Sequence, residues 1–80
     1  MKISLEDLKN IITSSNTISQ EIIHIEDEES WYRLIFEKDG NFYSVDYCIC
    51  FNLGIIDDDD GFECIQVKPI QKTITEWIPV

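Results

Sequence analysis

The sequence predicts an α+β fold in which a short N-terminal helix packs on a twisted antiparallel sheet of three to five strands. Two observations support this prediction. Apolar residues recur at helical spacing near the N-terminus, and an Asp-Gly dipeptide at residues 39–40 joins two alternating apolar segments. A chain of 80 residues buries only about 60% of its unfolded surface, so one domain spanning residues 1–80 with a small core is expected.

The helix is predicted over residues 4 to about 14. Ser4 is suited to cap its N-terminus, and the acidic Asp7 follows at the position of a capping-box partner. Because so short a helix is marginal alone, its apolar face must pack on the sheet. That face consists of Leu5, Leu8, Ile11 and Ile12.

Isoleucine-rich residues 18 to about 26 predict a first strand, and residues 31–38 and 41–50 predict a hairpin. Asp39-Gly40 suits a type I′ turn, in which both central residues adopt positive φ. This two-residue loop fixes the register, which places Arg33 opposite Asp46 on one face. The other face then pairs apolar and aromatic residues, which are expected to receive the helix. These pairs are Tyr32–Tyr47, Leu34–Val45 and Phe36–Tyr43.

Beyond the hairpin, residues 51–61 predict a long connection. Residues 62–67 and 72–78 predict two further strands, with an interruption at Pro69, because proline cannot donate to a strand ladder. The sequence leaves open whether the tail from residue 68 pairs with the hairpin.

The charge balance restricts the partners. Sixteen acidic residues face six basic ones, for a net charge of -10, so direct binding to nucleic acid or to an anionic membrane is not expected. Basic protein surfaces or cations are favoured instead. The alternative is that the charge serves solubility only.

The three cysteines, Cys48, Cys50 and Cys64, suggest reduced thiols in a cytoplasm. The first residues lack the pattern of a secretory signal, and no apolar run approaches the roughly 18 residues that span a bilayer. We therefore expect a cytoplasmic protein.

Two acidic runs are expected to meet at the open end of the hairpin, where Trp31 lies opposite Cys48. One run enters this end, and the connection that carries the other leaves it. We call the two runs together the acidic pole and predict that it binds a partner; the alternative is that both runs are solvated loops. The acidic pole consists of Glu26, Asp27, Glu28, Glu29, Asp57, Asp58, Asp59 and Asp60.

No motif predicts catalysis, a cofactor or a metal site. If Gly61 were the sixth residue of an EF-hand loop, Ile56 and Val67 would be its first and twelfth residues, and neither can ligate calcium. A non-standard weak calcium site remains an alternative. The cysteines are expected to be buried apolar residues, and nothing places His24 beside one of them.

Three aromatic residues, Trp31, Phe42 and Trp77, fall on the sheet face or the tail that the helix does not cover. Such residues suit a binding surface, since tryptophan is enriched at binding hot spots. Burial in a second layer or in a homodimer is the alternative.

The length, the acidic runs at residues 26–29 and 57–60 and the helix-plus-hairpin pattern resemble small acidic proteins that bacteriophages and other mobile elements encode against host defences, including anti-CRISPR proteins. The segment WYRLIFEKDG at residues 31–40 is similar to short phage open reading frames. The resemblance implies an inhibitor that occupies a nucleic-acid-binding surface of a host protein or ribonucleoprotein complex in the host cytoplasm. It assigns no role to an individual residue. A non-enzymatic interaction module or homo-oligomeric assembly module is the alternative.

Overall fold

The computed structural model describes residues 1–57, 59–70 and 75–80. Across these residues, one short helix accompanies six antiparallel strands, in the order β1-β6-β4-β3-β2 with β5 beside β4. The predicted fold class is confirmed, but the predicted number of strands, three to five, was too low. β1 and β5 have two residues each, which is too short to show an alternating pattern in the sequence. The elements are β1 (Lys2–Ile3), α1 (Leu5–Ile12), β2 (Thr17–Ile25), β3 (Glu29–Lys38), β4 (Asn41–Cys50), β5 (Gly54–Ile55) and β6 (Phe62–Val67).

The predicted hairpin is present with the predicted register. Asp39 and Gly40 adopt φ values of 55° and 81°, as the tight turn requires. From this turn the ladder runs without a shift, from the pair Lys38–Asn41 to the pair Glu29–Cys50. Arg33 donates two hydrogen bonds to the Asp46 carboxylate, at 2.9 and 3.1 Å. The predicted opposite-charge pair is therefore formed.

Helix α1 begins and ends close to the predicted positions. The Ser4 hydroxyl accepts a hydrogen bond from the Asp7 backbone N–H at 3.1 Å, which confirms the predicted N-cap. At the other end, the Thr13 hydroxyl donates to the carbonyl oxygens of Lys9 and Asn10. The Lys9 carbonyl also accepts from the Thr13 backbone N–H at 3.2 Å, so the hydroxyl adds to the hydrogen bonds that end the helix.

The core lies between α1 and the apolar face of the hairpin. Leu8 is fully buried, and partly buried Leu5, Ile11 and Ile12 pack against the same cluster, so the predicted helix face is confirmed. Two aromatic pairs stack within this face, Tyr32 with Tyr47 and Phe36 with Tyr43. The buried cluster consists of Ile3, Leu8, Leu34, Phe36, Val45, Tyr47, Phe62 and Cys64.

Strand β2 forms one end of the sheet. It pairs with β3, with register shifts between Thr17 and Ser19 and between Ile22 and His24. After the half-buried Thr17, every residue of β2 is exposed. The bulges explain the imperfect alternation of this segment in the sequence, since each inserts an extra residue on one side of the ladder.

The outer edge of β4 pairs with two strands in succession. β5 pairs with Ile49 and Cys50, and β6 pairs with residues 42–45. The chain leaves this edge after Ile56, whose backbone N–H donates to the Cys48 carbonyl at 2.9 Å, and returns at β6. The residues between are therefore held at both ends by the same strand.

The strand predicted over residues 72–78 is wrong for its described part, since residues 75–80 carry no regular structure. Residues 72–74 lie outside the described residues. Trp77 is 92% exposed. Alternation in the sequence does not by itself provide a partner strand, and it is β1 that pairs with the outer side of β6, at Phe62 and Glu63. No helix in the described parts of the chain has the length and apolar character needed to cross a bilayer.

Candidate functional site

The first half of the acidic pole is the turn between β2 and β3. The Glu26 N–H donates to the Glu29 carbonyl at 2.8 Å and closes the turn. The Phe51 N–H donates to the Glu28 carbonyl at 2.9 Å, which ties the turn to the end of β4. Backbone bonds therefore hold the turn on both sides. Its four residues, Glu26, Asp27, Glu28 and Glu29, line one open depression on the surface.

The second half of the acidic pole follows β5. Asp57, Asp59 and Asp60 are exposed, and Asp58 lies outside the described residues. These three aspartates border a groove on the side of β1 and α1, whose other lining residues include Lys2 and Lys9. This half of the pole therefore has basic neighbours on that side.

The two halves meet in a groove of about 530 Å³ at the open end of the hairpin. Glu29 borders this groove together with Asp57, Asp59 and Asp60. The structure thus brings these four predicted residues to one site. It places Glu26, Asp27 and Glu28 in the adjoining depression, which they share with Glu29.

The groove has an apolar lining that the sequence analysis did not assign to the site. Trp31, Cys48, Ile56 and Phe62 lie among the carboxylates, and Trp31 is 38% exposed. The hairpin register predicts Trp31 opposite Cys48 at this end. Ile56 and Phe62 give no signal in the sequence, because their position depends on where the chain leaves and rejoins the edge of β4. A partner on this groove would meet apolar surface as well as negative charge.

The local field of the carboxylates extends to Cys48. Burial is the main cause that raises the pKa of the Cys48 thiol, and the negative charges of Glu29 and Glu26 raise it further, as does Cys50. His24 lies beside this end, with its Nε2 3.0 Å from Glu26 Oε1. Both residues of this pair are exposed, so water and salt screen it.

The arrangement suits recognition of a cationic surface. Within residues 1–57, 59–70 and 75–80, no group of three or more His, Cys, Asp or Glu residues is arranged to hold a metal ion. The aspartates project from a short backbone segment beside an open groove, so they can contact several basic side chains at once. Their arrangement provides charge and shape for binding.

Comparison with protein-family models, with curated proteins and with solved structures found no match for this chain.

Proposed function

We propose that this protein is a non-enzymatic inhibitor that binds a basic nucleic-acid-binding surface of another protein or ribonucleoprotein complex. Its acidic pole takes the place of DNA or RNA there by mimicking their charge. The observation that carries the proposal is the groove where Glu29 meets Asp57, Asp59 and Asp60. Like charges held together destabilise a fold, so binding a cation-rich partner gives the cluster a role that solubility does not require.

The groove adds shape to this charge. Trp31 is a large aromatic residue at its border, and binding surfaces commonly have aromatic residues at their centre and polar residues at their rim. A partner side chain can therefore cover Trp31 while its basic neighbours meet the carboxylates. This combination favours one basic surface over cations in general.

The setting is the cytoplasm of a host cell, where the target is a defence complex of the kind that anti-CRISPR proteins block. Cys48, Cys50 and Cys64 are free thiols, which suits a reducing compartment. The net charge of -10 supports a protein as the direct partner, because nucleic acid and anionic membranes would be repelled.

The test is retention of a nucleic-acid-binding partner from nuclease-treated host lysate, followed by affinity measurement on the purified partner over a salt series. Binding is expected to weaken with salt and to compete with added DNA or RNA. The site variant combines Glu28→Gln, Asp57→Asn and Asp59→Asn. The control variant combines Glu37→Gln, Asp39→Asn and Glu63→Gln, which removes the same charge elsewhere.

The site variant should bind roughly tenfold more weakly, since three exposed contacts of about 0.5 kcal/mol each give this change in Kd. The control variant should bind nearly as the parent protein does. Equal losses of affinity in the two variants would show that binding depends on net charge and not on where the charges lie. Unchanged binding of the site variant would show that the acidic pole is not part of the interface.

A second candidate, a homo-oligomeric assembly module, is favoured by the exposure of Trp77 and Ile78. Burial of these side chains between two copies would be insensitive to salt, unlike binding through carboxylates. Sedimentation at tens of micromolar, in low and high salt, separates the two candidates. A dimer that persists in high salt supports assembly, and a monomer at both salt concentrations excludes it.

A further inference from the structure

We propose that the outer edge of β2 accepts an extended, basic segment of a partner protein as an added strand of the sheet. This surface is distinct from the groove of the acidic pole. The proposal shares with the proposed function only the expectation of a basic partner, and it names a second contact of a different kind.

In the described part of the chain, the outer edge of β2 is open. β2 is the last strand in the sheet order, and among the described residues no strand pairs with its outer side. It has nine residues, without proline, and every one after Thr17 is exposed. An open edge presents unpaired backbone N–H and C=O groups, which an extended peptide can complete with main-chain hydrogen bonds.

The side chains of β2 favour pairing more than they prevent it. Natural proteins often protect an edge with lysine or proline, and β2 has neither residue. Four exposed isoleucines instead provide apolar surface on this strand, which an added strand would cover. They are Ile18, Ile22, Ile23 and Ile25.

The two bulges limit the length of the contact. Between the register shifts, residues 19–22 keep a regular ladder with β3, from the pair Ser19–Ile35 to the pair Ile22–Tyr32. Outside this segment the strand bends, and a straight partner strand cannot follow it. The edge is therefore suited to a short segment of an extended peptide, centred on Gln20 and Glu21.

Charge decides which partner fits. Glu21 is exposed in the regular part of the edge, and Glu26, Asp27 and Glu28 follow directly after the strand. No Lys or Arg lies in residues 17–28. Arg33, the cross-strand neighbour of Glu21, already holds the carboxylate of Asp46. A short segment with Lys or Arg next to apolar residues is therefore attracted to the regular part of the edge and to the acidic residues that follow it.

A second copy of this chain fits less well. Two β2 strands related by a twofold axis at the middle of the strand would place Glu21 opposite Glu21, and like charges in that position are destabilising. Each copy also has a net charge of -10. The charge thus favours a basic partner over self-association at this edge.

The probe is a nine-residue peptide of alternating Lys and Val with blocked ends. Its control is the same peptide with all central amides N-methylated, which keeps the charge and removes the backbone donors. The unmodified peptide should bind at least tenfold more tightly, and those amides of residues 19–22 that point away from β3 should gain protection from hydrogen exchange. Equal binding of both peptides, or protection confined to residues 26–29 and 57–60, would overturn the proposal.

Two protein variants locate the contact. Glu21→Lys should weaken binding of the unmodified peptide several-fold, and Glu37→Lys, with the same change in charge at another exposed site, should not. Equal effects would overturn the proposal, as would a dimer that protects residues 19–22 without peptide. If the natural partner tolerates Glu21→Lys but not the site variant of the acidic pole, only this edge proposal fails. If the natural partner tolerates the site variant but not Glu21→Lys, the edge proposal stands and the proposed role of the acidic pole fails.

Discussion

Gln20 on the edge strand β2 donates a hydrogen bond to the phenolic oxygen of Tyr47 on β4, across the intervening strand β3. Tyr47 is buried and stacks on Tyr32 with 5.4 Å between the ring centres. The bond gives the one polar atom of this buried side chain a partner and fastens the edge strand to the centre of the sheet. It links β2, whose own side chains are largely exposed, to the core.

Removing this hydrogen bond should destabilise the fold moderately. We expect Tyr47→Phe to lower the free energy of unfolding by about 0.5–1.5 kcal/mol, the net value of a typical hydrogen bond. Tyr43→Phe is the matched control, because Tyr43 is half-buried on the same face and stacks on Phe36. Urea unfolding measures both. A larger loss for Tyr43→Phe would contradict the role assigned to Gln20.

Tyr47 should also make stability depend on alkaline pH. Burial raises the pKa of Tyr47, the neighbouring Tyr32 adds to this, and the bond from Gln20 partly opposes it. The folded protein therefore favours the neutral phenol. The stability that the raised pKa of Tyr47 contributes is complete below the ordinary tyrosine pKa of 10.0, and it is lost as pH rises through the pKa of Tyr47 in the folded protein. In urea unfolding at pH 9 to 11, Tyr47→Phe should lose less stability than the parent protein.

Leu8 should be the most sensitive position of the helix. It is fully buried against the sheet, so Leu8→Ala removes apolar contacts and leaves a cavity. We expect a loss of about 2–5 kcal/mol, measured by urea unfolding. Asn10→Ala, at an exposed position of the same helix, should change stability by no more than about 0.5 kcal/mol. Similar losses at both positions would mean that α1 does not pack as described.

Two glycines with similar backbone angles should respond differently to alanine. Gly54 and Gly61 have φ values of 75° and 83°, so both variants incur backbone strain of about 1–2 kcal/mol. A Cβ at Gly61 would lie 3.0 Å from the Ile3 carbonyl oxygen, whereas one at Gly54 meets nothing within 4 Å. Gly61→Ala should therefore cost about 1 kcal/mol or more beyond Gly54→Ala in urea unfolding. Equal costs would show that β1 shifts freely.

The thiols should differ in reactivity. Cys48 and Cys64 are buried, and burial is the main cause that raises the pKa of each, so little reactive thiolate forms. Cys50 is half-buried. With iodoacetamide at pH 8, one thiol per folded chain should react quickly. In urea, where the chain is unfolded, all three thiols should react. Cys50→Ser should remove the fast reaction, and its persistence in that variant would contradict the described burial.

The hairpin was predictable because its information is local. Asp39-Gly40 permits the two positive φ angles, and this tight turn fixes which residues face each other along β3 and β4. The helix was predictable for a similar reason, since Ser4 and the spacing of Leu5, Leu8, Ile11 and Ile12 are contained in three turns.

The remaining features depend on contacts between distant segments. β1 and β5 exist because an edge of the sheet was available to them, and two residues carry no period of their own. Alternation predicted a strand in the tail, but residues 75–80, which include Thr75, Trp77 and Ile78, form none. At the candidate site, the meeting of the acidic runs was expected, but the contribution of Ile56 and Phe62 required the path of the chain.

Strand β4 holds the segment 56–64 through backbone hydrogen bonds, so the side chains of its acidic residues can change without a change in the fold. The Ile56 backbone N–H donates to the Cys48 carbonyl, and Cys64 pairs with Val45. The two ends of the acidic segment are therefore attached to β4 three residues apart. The entropy of closing this loop is lost during folding and is not lost again on binding. Exposed side chains within the loop can therefore be exchanged while both attachments stay in place. The sheet then acts as a frame on which a sequence can acquire, lose or reverse a binding preference through substitutions that leave its strand pairing unchanged.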